Sequence, residues 1–186
     1  MKEPVLEPLL RGMRIRRVLP YIQKHQDCRL LDVGCGWEAR FLKSVAPHIK
    51  QGVGIDFKAP ELNEGNIRTE RQMLSDSLPY PDSSFDIVTM LAVLEHLDHP
   101  EALLREILRV LTPTGQLLLT VPSKASKPVL EFLSFRLGLV SREEIADHKA
   151  YYNKDSLNRI FELTGFKLKI HRYFQAGMNN FCVAER

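Results

Sequence analysis

The stretch Leu30-Leu31-Asp32-Val33-Gly34-Cys35-Gly36 decides the fold. Its apolar residues predict a short buried strand that ends in a glycine-rich turn, and Trp37–Lys43 predicts the start of a helix behind it. A glycine turn lets the backbone approach a ligand closely and directs free N–H groups of the helix start at it. The turn favours a nucleotide-type cofactor site, although an ordinary strand–turn–helix can carry the same letters.

Length and composition favour one cytoplasmic domain over residues 1–186. Hydrophobic residues make up 44% of the chain, charged residues 26%, and the net charge of +3 is too small to indicate nucleic-acid binding. The cysteines Cys28, Cys35 and Cys182 form no C-x-x-C pair, so we expect reduced thiols and no metal site. The amino terminus lacks the apolar run of a secretory signal, and no segment approaches the ~18 apolar residues of a membrane-spanning helix.

Seven segments predict strands. They are residues 30–33, 52–57, 67–74, 85–91, 116–121, 166–173 and 180–184. The first five alternate with helical patterns and most are nearly all apolar, which favours a parallel sheet covered on both faces. Residues 58–66 leave room for only a turn of helix. The predicted fold is three-layer, doubly wound (Rossmann-like) α/β, with a mostly parallel seven-stranded sheet and an antiparallel C-terminal strand.

Two further segments flank this pattern. Residues 7–26 predict an amino-terminal helix whose four arginines form either a solvated face or a patch for an anionic substrate or membrane surface. Residues 123–152 contain an apolar helical run between positions 129 and 140. We expect a lid-like insertion there, over the strand ends where α/β sheets bind ligands. Its apolar bulk leaves open an apolar acceptor or a peripheral membrane contact.

Asp56 ends the second predicted strand, about 20 residues beyond the glycine turn, where doubly wound folds place a ribose-binding carboxylate. A carboxylate suits a vicinal diol because it accepts two hydrogen bonds at once. A cap or turn role is the alternative for this residue. The run from Gly34 to Ala39 formally satisfies G-x-G-x-x-G/A, so a nicotinamide dinucleotide is an alternative cofactor.

Six motifs, in this order and at these spacings, resemble those of the class I S-adenosylmethionine-dependent methyltransferases, in particular the small-molecule group. They are Leu31–Gly36, Gly54–Asp56, Leu78–Val88, Leu94–Leu97, Arg109–Gly115 and Leu163–Phe166. The resemblance extends over residues 30–121 and the C-terminal quarter of the chain. It implies S-adenosyl-L-methionine as the cofactor and methyl transfer as the reaction.

The resemblance also implies which residues bind the cofactor. They are Asp32, Gly34, Gly36, Asp56, Phe57, Asp76 and Leu91. The two glycines would pack against the methionine part, and Asp32 would hold the turn and the amino group. Asp56 would bind the ribose hydroxyls and Phe57 would stack near the adenine. Asp76 would replace the family's acid on the adenine side, and Leu91 would line the methionyl side.

Three positions depart from the family pattern. Glu38 stands where a third glycine is usual, which places a charged side chain beside the methionyl pocket. Leu74 stands where an acid is usual, and Thr114 replaces a turn glycine. The first two departures keep open a non-catalytic S-adenosylmethionine-binding or interaction protein with this fold.

A general base is needed only if the acceptor must lose a proton, as a hydroxyl or an ammonium does. The candidates near the strand ends are Glu95, His96, His99, His148, Tyr151 and Tyr152. We expect His96 and His148 as the catalytic residues. The alternative for His96 is a position at a helix start without a catalytic role, and the alternative for His148 is a cap or a core contact. The predicted reaction is methyl transfer to a hydroxyl or amine of a small molecule, with a lipid- or sugar-linked acceptor left open.

Overall fold

The computed structural model describes residues 6–25, 27–74, 76–136 and 139–186. The helices are α1 (Glu7–Lys24), α2 (Arg40–Val45), α3 (Pro100–Val110), α4 (Lys127–Glu131), α5 (Arg142–Ala146) and α6 (Lys154–Thr164). The strands are β1 (Arg29–Val33), β2 (Gln51–Asp56), β3 (Asn63–Glu64), β4 (Ile67–Arg71), β5 (Phe85–Leu91), β6 (Leu111–Pro122), β7 (Lys167–Phe174) and β8 (Asn179–Glu185).

The strands form one eight-stranded sheet in the order β3-β4-β2-β1-β5-β6-β8-β7. The run from β4 to β6 is parallel, and β8 is antiparallel to both of its neighbours. This confirms the predicted Rossmann-like α/β fold with an antiparallel C-terminal strand. The strand beyond the predicted seven is the two-residue β3, which pairs antiparallel with β4.

Two apolar clusters cover the two faces of the sheet. Adjacent residues of β1 belong to different clusters, because successive side chains of a strand point to opposite faces: Leu31 packs in the cluster of α3 and α6, and Leu30 in that of α1 and α2. Phe161 of α6 and Ile22 of α1 are fully buried representatives of the two layers. Burial on both faces explains why most residues of the central strands are apolar.

The connection between β2 and β4 differs from the sequence prediction. Residues 58–66 form a turn and the strand β3 instead of a turn of helix, so that prediction was wrong. Asn66 explains the difference, because its side-chain amide donates to the carbonyls of Ala46 and Ile49 at 2.9 and 2.7 Å. Gly65 makes the tight turn of the hairpin with a φ of 58°. These contacts are distant in sequence and hold the connection in an extended path.

Two helix boundaries also differ from the sequence patterns. The helix expected from Trp37 begins at Arg40, because Ala39 takes a left-handed φ of 49° at its amino end. The amino-terminal helix ends at Lys24 and contains Pro20 without a break, and Gln26 of the predicted range lies outside the described residues.

Residues 123–152 follow β6 as a series of short helical pieces. A 3-10 turn (Lys124–Ser126) leads into α4, a π-helical turn (Phe132–Arg136) and α5. Residues 137 and 138 of the predicted apolar run lie outside the described residues. The end of the segment is bound to the sheet, since the N–H of Tyr152 donates to Pro122 O at 3.2 Å and Lys124 N–H donates to Tyr152 O at 2.9 Å. The described part of the chain contains no helix that is both long and apolar enough to cross a membrane.

Candidate functional site

The carboxyl ends of the parallel strands meet at one edge of the sheet. β1 pairs with β2 on one side and with β5 on the other, so the turn after β1 lies between the ends of those two strands. The ends of β2, β5 and β6 therefore border the same crevice, which is where open α/β sheets bind ligands.

The glycine turn is built for close approach of backbone. Gly34 has a φ of 80°, and a Cβ there would lie 2.3 Å from Cγ2 of Val93, in the turn after β5. Gly36 has a φ of 70°, and a Cβ there would meet no atom within 4 Å. The first glycine thus allows two turns to touch, and the second leaves open space beside the backbone.

Asp56 connects this turn to the next one. Its Oδ2 accepts a hydrogen bond from Gly36 N–H at 3.1 Å, and its Oδ1 accepts one from Lys58 N–H at 2.7 Å. A carboxylate offers about four lone-pair sites, so each oxygen keeps capacity for one more donor. The ring of Phe57 is 52% exposed beside it, with Lys58 Nζ 4.8 Å from the ring centroid. These are the positions that the resemblance implies for the ribose and adenine contacts.

Asp32 lies under the turn and is only 2% exposed. The hydroxyl of Thr89 donates a hydrogen bond of 2.7 Å to its Oδ1. Burial raises the pKa of Asp32 to about 7. The hydrogen bond from Thr89 lowers this pKa, and the negative charge of Asp56 raises it further. A cationic group at this position would stabilise the ionised carboxylate.

The remaining positions near the turn differ in their surroundings. Glu38 forms an ion pair with Arg40 at the start of α2, so its carboxylate has a partner on the helix. Leu74 packs against the apolar core, and Asp76 is exposed on the loop before β5. Leu91, half-buried, is the last residue of β5. Strand pairing and hydrogen bonds connect Asp32, the two glycines and Asp56, and Asp76 lies on the loop before β5.

A second group of side chains lies after β5, around the two predicted catalytic histidines. The rings of His96 and His148 pack edge to face with their centroids 4.9 Å apart. Backbone hydrogen bonds hold the segment after α5 in this place, because Lys149 N–H and Ala150 N–H donate to Glu95 O at 2.8 and 3.3 Å. One ligand atom each from Glu95, His96 and His148 lies within 4.8 Å of the other two.

Each histidine has an outer partner. His96 Nδ1 lies 2.9 Å from Asp147 Oδ2, and His148 Nδ1 lies 3.1 Å from the hydroxyl of Tyr151. Burial, with the charge of His96 as a second cause, lowers the pKa of His148 to about 4, so this imidazole is neutral at pH 7. The carboxylate of Glu95 is fully buried, with Oε1 4.0 Å from His148 Nε2.

A cavity of about 500 Å³ opens beside His148. Its lining includes the aromatic residues Phe135 and Tyr151 and the charged residues Lys124, Lys127 and Glu131. Sequence reasoning did not single out these two lysines. Their signal is a spacing of three residues directly after an apolar strand, which is too common to identify a site without the fold.

Known proteins resemble this chain over most of its length. A family model described as "Methyltransferase domain" matches residues 10–169. A demethylmenaquinone methyltransferase of Staphylococcus carnosus is 28% identical over 188 residues, which cover 88% of this chain and 78% of that protein. The 27-O-demethylrifamycin SV methyltransferase of Amycolatopsis mediterranei is 32% identical over 111 residues, which cover 52% of this chain and 41% of that protein.

The fold comparison agrees with the sequence comparison. The crystal structure of an S-adenosylmethionine-dependent methyltransferase from Mesorhizobium loti superposes with a TM-score of 0.69 at 18% identity, covering 92% of this chain and 95% of that one. The match spans less than half the length of the first curated relatives, at 44%, 41% and 32% of their chains.

Proposed function

Because the chain belongs to the methyltransferase domain family, we propose that it transfers the methyl group of S-adenosyl-L-methionine to a hydroxyl or amine of a small molecule. One observation carries the proposal: a backbone cradle at Gly36 and an acceptor-sized cavity beside His148 open at the same end of one parallel sheet. A transferase of this kind needs its donor and its acceptor at adjoining sites.

The residues around the glycine turn fit this cofactor. The open space at Gly36 admits a bulky group against the backbone. Asp56 keeps lone pairs for two ribose hydroxyls, and the exposed ring of Phe57 offers a stacking face for the adenine. Buried Asp32 gains from a nearby ammonium, such as that of the methionine part. We expect Leu91, at the end of β5, on the methionyl side and Asp76, on the loop before β5, on the adenine side.

The chemistry divides between cofactor and chain. When bound, S-adenosylmethionine supplies a sulfonium methyl group that the acceptor attacks in line, so that the carbon–sulfur bond breaks as the new bond forms. The chain aligns the two reactants and excludes water. A hydroxyl or ammonium must also give up a proton, for which His96 and His148 are the predicted acceptors. With a pKa of about 4, His148 is a weak base at neutral pH.

The cavity supports a small acceptor with an apolar part. Phe135 offers an apolar wall, and the lysines Lys124 and Lys127 can pair with an anionic substituent. Exposed Val129 and Phe132 on the same segment favour a lipid-linked acceptor and a peripheral contact with membranes. The relative named for the 27-O position of a rifamycin supports oxygen as the nucleophile of the acceptor.

Calorimetric titration with S-adenosylhomocysteine tests cofactor binding with a matched pair of variants. Gly36 and Gly65 both have positive φ and open space at the Cβ position, but Gly65 lies in the β3–β4 hairpin. We expect micromolar binding by the wild type, at least tenfold weaker binding by Gly36→Ala and unchanged binding by Gly65→Ala. An equal effect of the two variants would contradict the assignment of the turn. Binding without turnover on any hydroxyl or amine acceptor would favour the non-catalytic alternative.

A further inference from the structure

We propose that Glu95, His96 and His148 bind a divalent transition-metal ion at the wall of the acceptor cavity. One ligand atom from each residue lies within 4.8 Å of the other two. Glu95 Oε1 and His148 Nε2 are 4.0 Å apart, which one ion with bonds of about 2.1 Å can bridge. The expectation of no metal site rested on the cysteines, which form no C-x-x-C pair, and did not consider this cluster.

The outer contacts of the two imidazoles match those of metal-binding histidines. A ligating histidine commonly donates its second ring N–H to a carboxylate or another oxygen, which fixes the ring and its tautomer. Here Nδ1 of His96 lies 2.9 Å from the carboxylate of Asp147, and Nδ1 of His148 lies 3.1 Å from the hydroxyl of Tyr151. In both rings Nε2 is then the nitrogen left for a cation.

Burial favours the same occupant. Glu95 has no exposed surface, and its Oε1 lies 4.0 Å from His148 Nε2. A buried carboxylate is stabilised by metal coordination.

The donor set selects the class of metal. Two imidazoles and one carboxylate are typical ligands of zinc and of divalent iron, cobalt or nickel. Magnesium and calcium prefer oxygen ligands throughout, so we expect them to bind more weakly here. Three protein ligands leave coordination positions open, and His148 lines the cavity into which an acceptor would fit.

The consequence for the acceptor rests on the proposed function. An acceptor hydroxyl bound to the metal would have a lower pKa and would need no strong protein base. This favours oxygen over nitrogen as the nucleophile. Metal binding itself is measured without turnover, so the metal site and the methyl transfer can fail separately.

Titration of the chelator-treated protein with Co²⁺ tests the site through the visible d–d absorption of the bound ion. We expect one Co²⁺ per chain, displaced by Zn²⁺ and not by Mg²⁺. His96→Ala, His148→Ala and Glu95→Gln should each weaken binding at least tenfold. His99→Ala is the matched control, since His99 is exposed in the same loop outside the cluster, and it should bind as the wild type does.

Asp147→Ala separates metal binding from folding. Asp147 is exposed and contacts His96 without belonging to the three ligands, so its loss leaves the core and the ligand set intact. Loss of such an outer partner typically weakens metal binding by about 10- to 100-fold. The proposal is overturned if the folded wild type shows no d–d absorption at millimolar Co²⁺, or if the two His→Ala variants bind Co²⁺ as tightly as His99→Ala does.

Discussion

The glycine turn after β1 and the Glu95–His96–His148 cluster after β5 lie at the same edge of one sheet, but the first is made of backbone and the second of side chains. The turn depends on Gly34, Gly36 and one carboxylate that binds two N–H groups. The cluster depends on a segment that returns from α5 and is held by hydrogen bonds to Glu95 O. A site built from neighbouring backbone residues can be recognised from its sequence motif. A site built from residues that are distant in sequence becomes visible only in the folded structure.

Asp32 contributes a buried side chain to the glycine turn, which is otherwise built mainly from backbone. Its titration gives the largest predicted effect on the free energy of unfolding. Its folded-state pKa of about 7 lies above the unfolded value of about 3.9, so the folded state holds the proton more tightly. The free energy of unfolding of the wild type should therefore fall as pH rises between those two values. At about 1.4 kcal/mol per unit of pKa, the total change is about 4 kcal/mol.

Asp32→Asn removes this titration while keeping an oxygen for the Thr89 hydroxyl. Urea unfolding of both proteins without cofactor, between pH 4 and pH 8, measures the effect. We expect the stability of the variant relative to the wild type to increase up to about pH 7 and then to stay level. The same variant should bind S-adenosylhomocysteine more weakly at pH 8. A pH-independent difference in stability would show that Asp32 titrates normally.

Gly34→Ala tests whether the glycine turn after β1 contacts Val93 in the turn after β5. The left-handed backbone costs an alanine about 1 kcal/mol, and overlap with Val93 adds about 2 kcal/mol. We therefore expect a loss of about 3 kcal/mol in the free energy of unfolding, measured with urea. Combining it with Val93→Ala should reduce the incremental cost of the glycine change to about 1 kcal/mol, because only the backbone cost is left. An unreduced cost would mean that the turns do not touch.

Much of this fold follows from short-range patterns. The apolar runs of β1, β2 and β5 and the amphipathic α3 are local signals, and they predicted both the layers and the parallel order of the central strands. The same holds for Asp56, whose place depends on one turn and one strand. The hairpin at β3 was missed because Asn66 bonds to carbonyls about 20 residues away, for which no periodicity exists.

The cluster shows the opposite limit. The sequence offered Glu95, His96 and His148 as separate candidates, and nothing in it joined His148 to the adjacent pair Glu95–His96. Two backbone hydrogen bonds after α5 create that proximity. Lys124 and Lys127 were missed for a related reason, since their role depends on a cavity that several segments enclose.

Tyr151→Phe is a smaller test on the cluster side. The change removes the hydroxyl next to His148 Nδ1 and leaves the ring in place. We expect a loss of about 1 kcal/mol in the free energy of unfolding, which is typical of one hydrogen bond. Co²⁺ binding should weaken as well, because the imidazole loses the group that orients it. Unchanged stability together with unchanged Co²⁺ affinity would mean that this contact does not hold the ring.

Glu38 should give the smallest effect, although it is the least expected residue of the glycine turn. Its carboxylate pairs with Arg40, and both side chains are about one-third exposed, at 31% and 36%. Partly exposed pairs contribute from about 0 to 1 kcal/mol, so Glu38→Gln should change the free energy of unfolding by less than about 0.5 kcal/mol. The affinity for S-adenosylhomocysteine should change less than threefold, because a partner on α2 holds the carboxylate. Tenfold tighter binding of S-adenosylhomocysteine by Glu38→Gln would instead mean that the Glu38 carboxylate lies in the cofactor site. The affinity of the turn for the cofactor would then depend on a side chain as well as on the backbone.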